Sequence, residues 1–213
     1  MVSHSFPLFA IQPMLPTLVK TPFSNPAWLF EPKWDGFRAV CYISDDGARF
    51  FSRRRNDLTK RFPALQSIAK SIKAESAILD GEIVALDKDG TPHFEGLRAS
   101  RSADFTVVYC AFDLMYLNGE NITQLPLIDR KSKLRRSMSK RRNSRLLFTD
   151  HVIGEGKRLF AELEKRKLEG MVAKRADSFY VSGRTRAWLK IKTKAGREQM
   201  RKRSEAWHPQ PFP

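Results

Sequence analysis

Apolar and polar positions along the chain fall into two periods. "AWLFEP" (27–32), "FRAVCYIS" (37–44) and "ARFFSR" (48–53) are short apolar runs of strand type, and Asp46-Gly47 supplies a hairpin turn between the last two. "PALQSIAKSIKA" (63–74) has apolar spacing near the helical period and starts at Pro63, a favourable first-turn residue, so it predicts a helix. "AILDGEIVALD" (77–87) and "TVVYCAFDLMYL" (106–117) are long β-rich runs, the second closed by Asn118-Gly119. Asp129 is placed to cap a helix through "RKSKLRRSMSK" (130–140), and "GEGKRLFAELEKRK" (154–167) predicts another. "GMVAKR" (170–175) and "AWLKIK" (187–192) read as strands, and "GREQMRKRSEAW" (196–207) as a terminal basic helix. The first twenty residues, broken by Pro7, Pro13 and Pro16, predict no element. Hairpins and scattered helices without regular βαβ alternation, and without an internal repeat, point to a mixed α+β fold.

Composition narrows the class. At 213 residues, with 41% hydrophobic and 29% charged, the chain can bury a real core. Lys+Arg number 39 against 23 Asp+Glu, a formal charge of +16. Such an excess favours polyanions through counterion release, so nucleic acid is the first partner to consider. No basic amphipathic helix with an aromatic face suggests a membrane surface, and the proline-broken start has neither a signal peptide's charged opening nor a span's length. Cys41 and Cys110 sit in apolar runs, as buried thiols of a reducing compartment would. A cytoplasmic location is expected. His4, His93, His151 and His208 are scattered, and nothing pairs them with a serine or cysteine nucleophile.

Chemistry enters at "LFEPKWDGFRAV" (29–40), where Lys33 interrupts a strand-like run. An amine attacks phosphorus or carbonyl carbon only when neutral, and a free lysine near pKa ~10.4 is almost wholly protonated at pH 7. Burial and neighbouring cations lower that value, and Arg38, Arg53, Lys174, Lys190 and Lys192 all fall in strand-like segments. "EPKWDGFR" resembles the nucleotidyl-lysine motif K-x-D-G-x-R of the ATP-dependent DNA ligase and capping-enzyme superfamily. Further segments match that superfamily's motifs in order: "SRRRND" (52–57), "LDGEIV" (79–84), "FDLMYLNG" (112–119), and "EGMVAK" (169–174) followed by "WLKIK" (188–192). Together with "PMLPTL", "LTKRFP" and "RADSFYVSGRTRA", they are most similar to the ligase domain of bacterial end-joining ligases, over about residues 11 to 192.

The resemblance implies a role for each matched residue. Lys33 attacks the α-phosphorus of ATP and takes up AMP. Glu31 helps hold the adenine edge, Phe112 stacks on adenine, and Arg38 meets the ribose or phosphate. Arg53 contacts the ribose and later the phosphate at a nick, work suited to arginine's planar fork. Glu82 binds the ribose or a divalent ion, Glu169 is the metal-side carboxylate, and Asp35 assists the later ligation steps. Lys174 belongs to the nucleotide site, and Lys190 and Lys192 grip the α-phosphate. The expected cofactors are ATP and Mg2+ or Mn2+, and the expected partner is nicked or broken double-stranded DNA, with end-joining proteins beside it. Trp188 reads as a packing residue rather than a ligand contact, and Phe112 without its motif would read as plain core.

The implied architecture is two antiparallel-sheet subdomains with flanking helices over residues 1–192, then a basic helix and tail over 193–213. Ligases of this type continue into an OB-fold barrel, which 21 residues cannot build, so a stand-alone adenylation domain, or one served by a barrel on a separate chain, is expected. A second departure is Arg54-Arg55 where these ligases commonly carry Asn-Gly, a turn that needs positive φ. The basic run from Arg130 to Arg145 reads either as part of a DNA grip or as a solvated helix and loop. Two other functions stay open: GMP transfer to RNA ends or RNA sealing, and a catalytically silent basic DNA-binding relative.

Overall fold

Strand alternation sorts the side chains onto the faces of two sheets. The computed structural model describes residues 11–97, 104–139 and 145–205. The first sheet runs in the order β1 (Met14–Leu18), β11 (Gly183–Lys192), β10 (Gly170–Arg175), β2 (Trp28–Pro32) and β9 (Val152–Ile153). The second runs β4 (Gly47–Ser52), β3 (Phe37–Ser44), β5 (Ala77–Leu86), β6 (Thr106–Leu117) and β7 (Glu120–Asn121), with β8 (Leu146–Phe148) beside β6. Both are antiparallel except for one parallel pair each, β1 with β11 and β8 with β6.

Among the described residues, three of the four apolar clusters hold these layers together. Helix α2 (Gly156–Lys165) packs Phe160 and Leu163 onto Phe30, Met171, Ala173 and Ile191, the outer face of the first sheet. Behind the second sheet, Ala39, Cys41, Phe50, Leu79 and Tyr109 meet Leu65 and Ile68 of a 3₁₀ helix (Pro63–Ser71) and Leu134 of α1 (Leu127–Ser137). Between the sheets, Met14, Leu29 and Trp188 of the first pack on Val40, Phe51, Ile78 and Phe112 of the second. A cleft with polar walls opens beside that shared core.

Several elements differ from the sequence reading. Residues 63–71 form a 3₁₀ helix rather than an α-helix. Its buried residues Leu65, Ile68 and Ser71 recur every third position, matching three residues per turn. Asp129 does not cap α1: the helix starts after Pro126, and Asp129 lies in its first turn. The proline-broken opening forms an edge strand, where the register slips between Pro16 and Thr17, and an edge strand with a bulge tolerates proline. The basic run is no uniform surface: Arg130 and Lys131 are completely buried. Strand β11 begins at Gly183, four residues early, and the terminal helix α3 spans Lys194–Glu205. Residues 206–213, the basic-run residues 140–144, and the opening with His4 and Pro7 lie outside the described residues. Cys41 and Cys110 are buried free thiols, as expected.

Candidate active site

Period two places the polar residues of the first sheet on its inner face. Phe30 faces α2, so Leu29 and Glu31 face the cleft; likewise Ala173 and Ile191 face α2, while Lys174, Trp188, Lys190 and Lys192 face inward. Register lines them up: Glu31 opposes Val172, which opposes Lys190, and Lys174 opposes both Leu29 and Trp188. Lys33 follows the end of β2, its backbone N–H donating to Gly170 O at 2.9 Å, which holds it beside Glu169. On the second sheet Arg38 opposes Glu82, and Val40 opposes Asp80. Gly36 lets β3 start this close to β5, since a Cβ there would stand 2.0 Å from Ile83 O.

One end of the cleft is a charged knot. Lys33 Nζ donates to Glu169 Oε2 at 2.5 Å, and Lys192 Nζ lies 3.1 Å from Glu169 Oε1. Desolvation, then the charges of Lys33, Lys192 and Arg184, hold Lys190 below the ordinary lysine range. Burial pushes the Glu82 carboxyl up to about 7, with Glu169 and Asp80 adding to the rise and Lys33 and Arg38 opposing it. Glu169 is fixed from behind, because its carbonyl accepts from Thr193 and Gly196 packs against it.

The other end is aromatic. Phe112 and Trp188 meet edge to face with centroids 6.1 Å apart, and Arg38 and Lys174 stand 4.7 and 4.2 Å over the Phe112 ring. Arg38 spends its fork on Asp80, donating at 2.6 and 2.5 Å, and Tyr180 donates to the same carboxylate at 2.6 Å. Glu31 is buried between Lys131 and Lys174, each ammonium 2.6 Å from one carboxylate oxygen. Burial raises its carboxyl, but the two lysines outweigh that and hold it below the usual range. Burial also pushes Lys174 down to about 8, against the pull of Glu31.

Of the residues singled out in the sequence, Glu31, Lys33, Arg38, Glu82, Phe112 and Lys174 line one cavity of about 70 Å³. Glu169 and Lys192 join it through Lys33, and Lys190 neighbours them on β11. Asp35 is buried but outside the lining. Arg53 is exposed on the turn after β4, also outside the lining. Arg55 on that turn has φ +65°, the left-handed conformation a glycine would favour. Trp188 proves to be both packing residue and cavity wall, and Trp34 joins the wall, its Nε1–H donating to Thr149. Sequence reading missed Lys131. Its signal was present, since Leu127, Arg130, Lys131 and Leu134 occupy the i, i+3, i+4, i+7 stripe of a core-facing helix.

A lysine held at a carboxylate, lysines in register behind it and an aromatic slot at the far end bring together the residues on which the sequence resemblance rests. A family model described as the ATP-dependent DNA ligase domain matches residues 13–192. The chain belongs to the ATP-dependent DNA ligase family. Within that family it is similar to the multifunctional non-homologous end joining protein LigD of Pseudomonas aeruginosa, at 32% identity over 190 residues, covering 88% of this chain and 22% of that protein. It is also similar to the SPbeta prophage-derived DNA ligase-like protein LigB of Bacillus subtilis, at 30% identity over 185 residues, covering 85% of this chain and 67% of that one. A solved mycobacterial DNA ligase D, complexed with ATP and MES, superposes with a TM-score of 0.73 at 33% identity, covering 85% of this chain and 60% of that chain. The chain thus spans about a fifth of the length of the LigD relative. Among the described residues no helix is long and apolar enough to cross a membrane.

Proposed function

We propose that this ligase-family chain transfers AMP from ATP to its own Lys33 and then to the 5′-phosphate of broken DNA, ahead of strand joining. The observation that carries the reading is the convergence of Lys33, Glu169, Lys190 and Lys192 at one end of a cleft whose other end is walled by Phe112 and Trp188. Charged groups suit a triphosphate and aromatic walls suit a base. At about 70 Å³ the cavity is smaller than ligand pockets of roughly 300–1,000 Å³, so a bound ATP extends out of it toward Glu169, Lys190 and Lys192. The Lys33–Glu169 ion pair is the contact that must open, because a lysine attacks only as a free amine.

In the first step the neutral Lys33 Nζ bonds to the α-phosphorus and releases one N–H proton to solvent, while the α–β bridging P–O bond breaks and pyrophosphate leaves with the bonding electron pair. Lys190 and Lys192 hold the charge that builds on the α-phosphate. Phe112 stacks on the adenine and Glu31 receives its edge. Arg38, aimed by Asp80, meets the ribose. In the second step a 5′-phosphate oxygen takes AMP from Lys33, and in the third a 3′-hydroxyl displaces AMP to close the strand, with Asp35 assisting. Positioning and electrostatics do most of this work. Arg53, exposed beyond the cavity, suits the later contact with the nick phosphate.

Glu82 and Glu169 are the carboxylates for Mg2+ or Mn2+. A hard cation of this kind binds through one or two carboxylates together with substrate phosphates, which is the role proposed for these two. Such an ion would neutralise triphosphate charge. The wider setting we propose is double-strand-break repair in the bacterial cytoplasm, on the nucleoid, beside end-joining proteins and with an OB-fold supplied by this protein or another chain. The test is a nicked duplex added to chain labelled from α-labelled ATP: label should move from protein to the 5′ end and then leave as AMP when the strand closes. Protein label that never reaches DNA would contradict the DNA steps, and transfer to RNA ends alone would replace them.

A further inference from the structure

Lys131 of α1 has a side chain with no exposed surface, in a sequence run that looks made for solvent. Its Nζ lies 2.6 Å from Glu31 Oε1, donates to Thr149 O at 2.9 Å, and stands 4.6 Å over the Phe148 ring. Across the carboxylate, Lys174 Nζ lies 2.6 Å from Glu31 Oε2 and 4.2 Å from both the Phe112 and Trp188 rings. Glu31 and Lys174 line the cavity; Lys131 stands behind them and does not. Each oxygen of Glu31 is held by one ammonium, which fixes the carboxylate and Lys174 on the cavity wall with lone pairs and N–H groups left over for a ligand.

The cavity therefore offers a hydrogen-bond acceptor beside a donor, between aromatic walls. A carboxylate ionised in a buried site accepts only, and with an ammonium against each oxygen it cannot rotate or protonate to adapt. We propose that Lys131 is a positioning residue for nucleobase selection: it fixes the Glu31 carboxylate so that Glu31 and Lys174 favour a base carrying an amino group next to an unprotonated ring nitrogen over 6-oxo purines. The proposal rests on the nucleotide-transfer reading above. Adenine presents an amine donor and the N1 acceptor on that edge. Hypoxanthine and guanine present a carbonyl acceptor and an N1–H donor, so both contacts reverse. A site built on such contacts rejects the mismatched analogue because its own buried groups are left unpaired.

The probes are ATP and ITP, which differ only along that edge. Two readouts serve: the rate of self-labelling from the α-labelled nucleotides, and calorimetric binding of their non-hydrolysable α,β-methylene analogues. The parent chain should prefer ATP over ITP by about tenfold to a hundredfold. Lys131→Met should narrow that preference to a few-fold, mainly by weakening ATP. Lys131→Met leaves Glu31 and Lys174 as a one-to-one buried pair, whereas the Glu31→Gln/Lys131→Met variant leaves Lys174 without its carboxylate, so a melting curve is taken beside each binding measurement. The amide of the paired variant can donate to a 6-oxo group, so ITP should gain. Equal weakening of ATP and ITP in both variants would reduce Lys131 to a structural strut and overturn the proposal, as would a parent that binds both nucleotides alike or neither. A chain that binds ATP over ITP but never becomes labelled would sink the transfer reading and leave base selection standing.

Discussion

Arg55 keeps a backbone conformation at φ +65° in which a side-chain-bearing residue is strained by roughly 1–2 kcal/mol. Replacing it should relieve the strain, less the entropy that a glycine loses on folding. Arg55→Gly is thus expected to stabilise the chain by about 0.5–1 kcal/mol, read as a higher urea midpoint. Lys174 gives a pH signature. Burial sets it at about 8 in the folded chain, against 10.5 for the ordinary side chain. Below about 8 both states hold the proton and its contribution is flat. Between about 8 and 10.5 the unfolded chain binds more protons, so stability rises with pH, by on the order of 1–3 kcal/mol. The difference in urea midpoint between parent and Lys174→Met, followed from pH 7.5 to 10, should widen in the parent's favour; a constant difference would contradict it. At this scale the motif residues were legible because each match fixes a residue type at a set spacing. What the motif could not reveal is the partner each has chosen. Arg38 is committed to Asp80 and Lys33 to Glu169, contacts that join residues 42 and 136 positions apart.

Helix α1 is the element whose sequence misleads most. Read as a basic run it belongs outside, yet Arg130 sits fully buried, paired twice with Asp113 and donating to the carbonyls of Leu125 and Ser178. Arg130→Met leaves Asp113 buried and unpaired and should cost about 3–5 kcal/mol in chemical denaturation. Adding Asp113→Leu should recover most of that loss. Helix α3 is anchored at the site: Thr193 Oγ1 accepts from Gly196 N–H, and a Cβ at position 196 would meet Glu169 O at 1.9 Å. Gly196→Ala should therefore disturb Glu169 as well as the helix, lowering both the melting temperature and the rate of self-labelling. The longer strands were legible as apolar β-rich runs between turn signals, because β3, β5 and β6 are buried on both faces. The 3₁₀ helix and the edge strand β1 were not. A three-residue period is hard to tell from 3.6 over nine residues, and Pro16 signals a break unless the strand's edge position is known.

For the whole molecule, two sheets share an apolar core on one side of the cleft and oppose charged rows on the other. The α+β class and the hairpins could be read from pattern, but which sheets face each other depends on pairings such as β1 with β11, some 170 residues apart, for which local pattern carries no signal. The charge of +16 belongs to this scale as well. If several of these cations lie along DNA phosphates, affinity for a nicked duplex should fall steeply with salt. For six to ten contacts the loss is about 10³–10⁵ between 50 and 200 mM, and a flat salt response would argue against a phosphate-tracking surface. The cleft itself is tested most directly by covalent labelling. Parent chain and Lys33→Ala are incubated with α-labelled ATP and magnesium or manganese, then separated by denaturing electrophoresis. Label that stays on the parent and is absent from Lys33→Ala is the predicted result; an unlabelled parent, or equal label on the variant, would contradict Lys33 as the nucleophile.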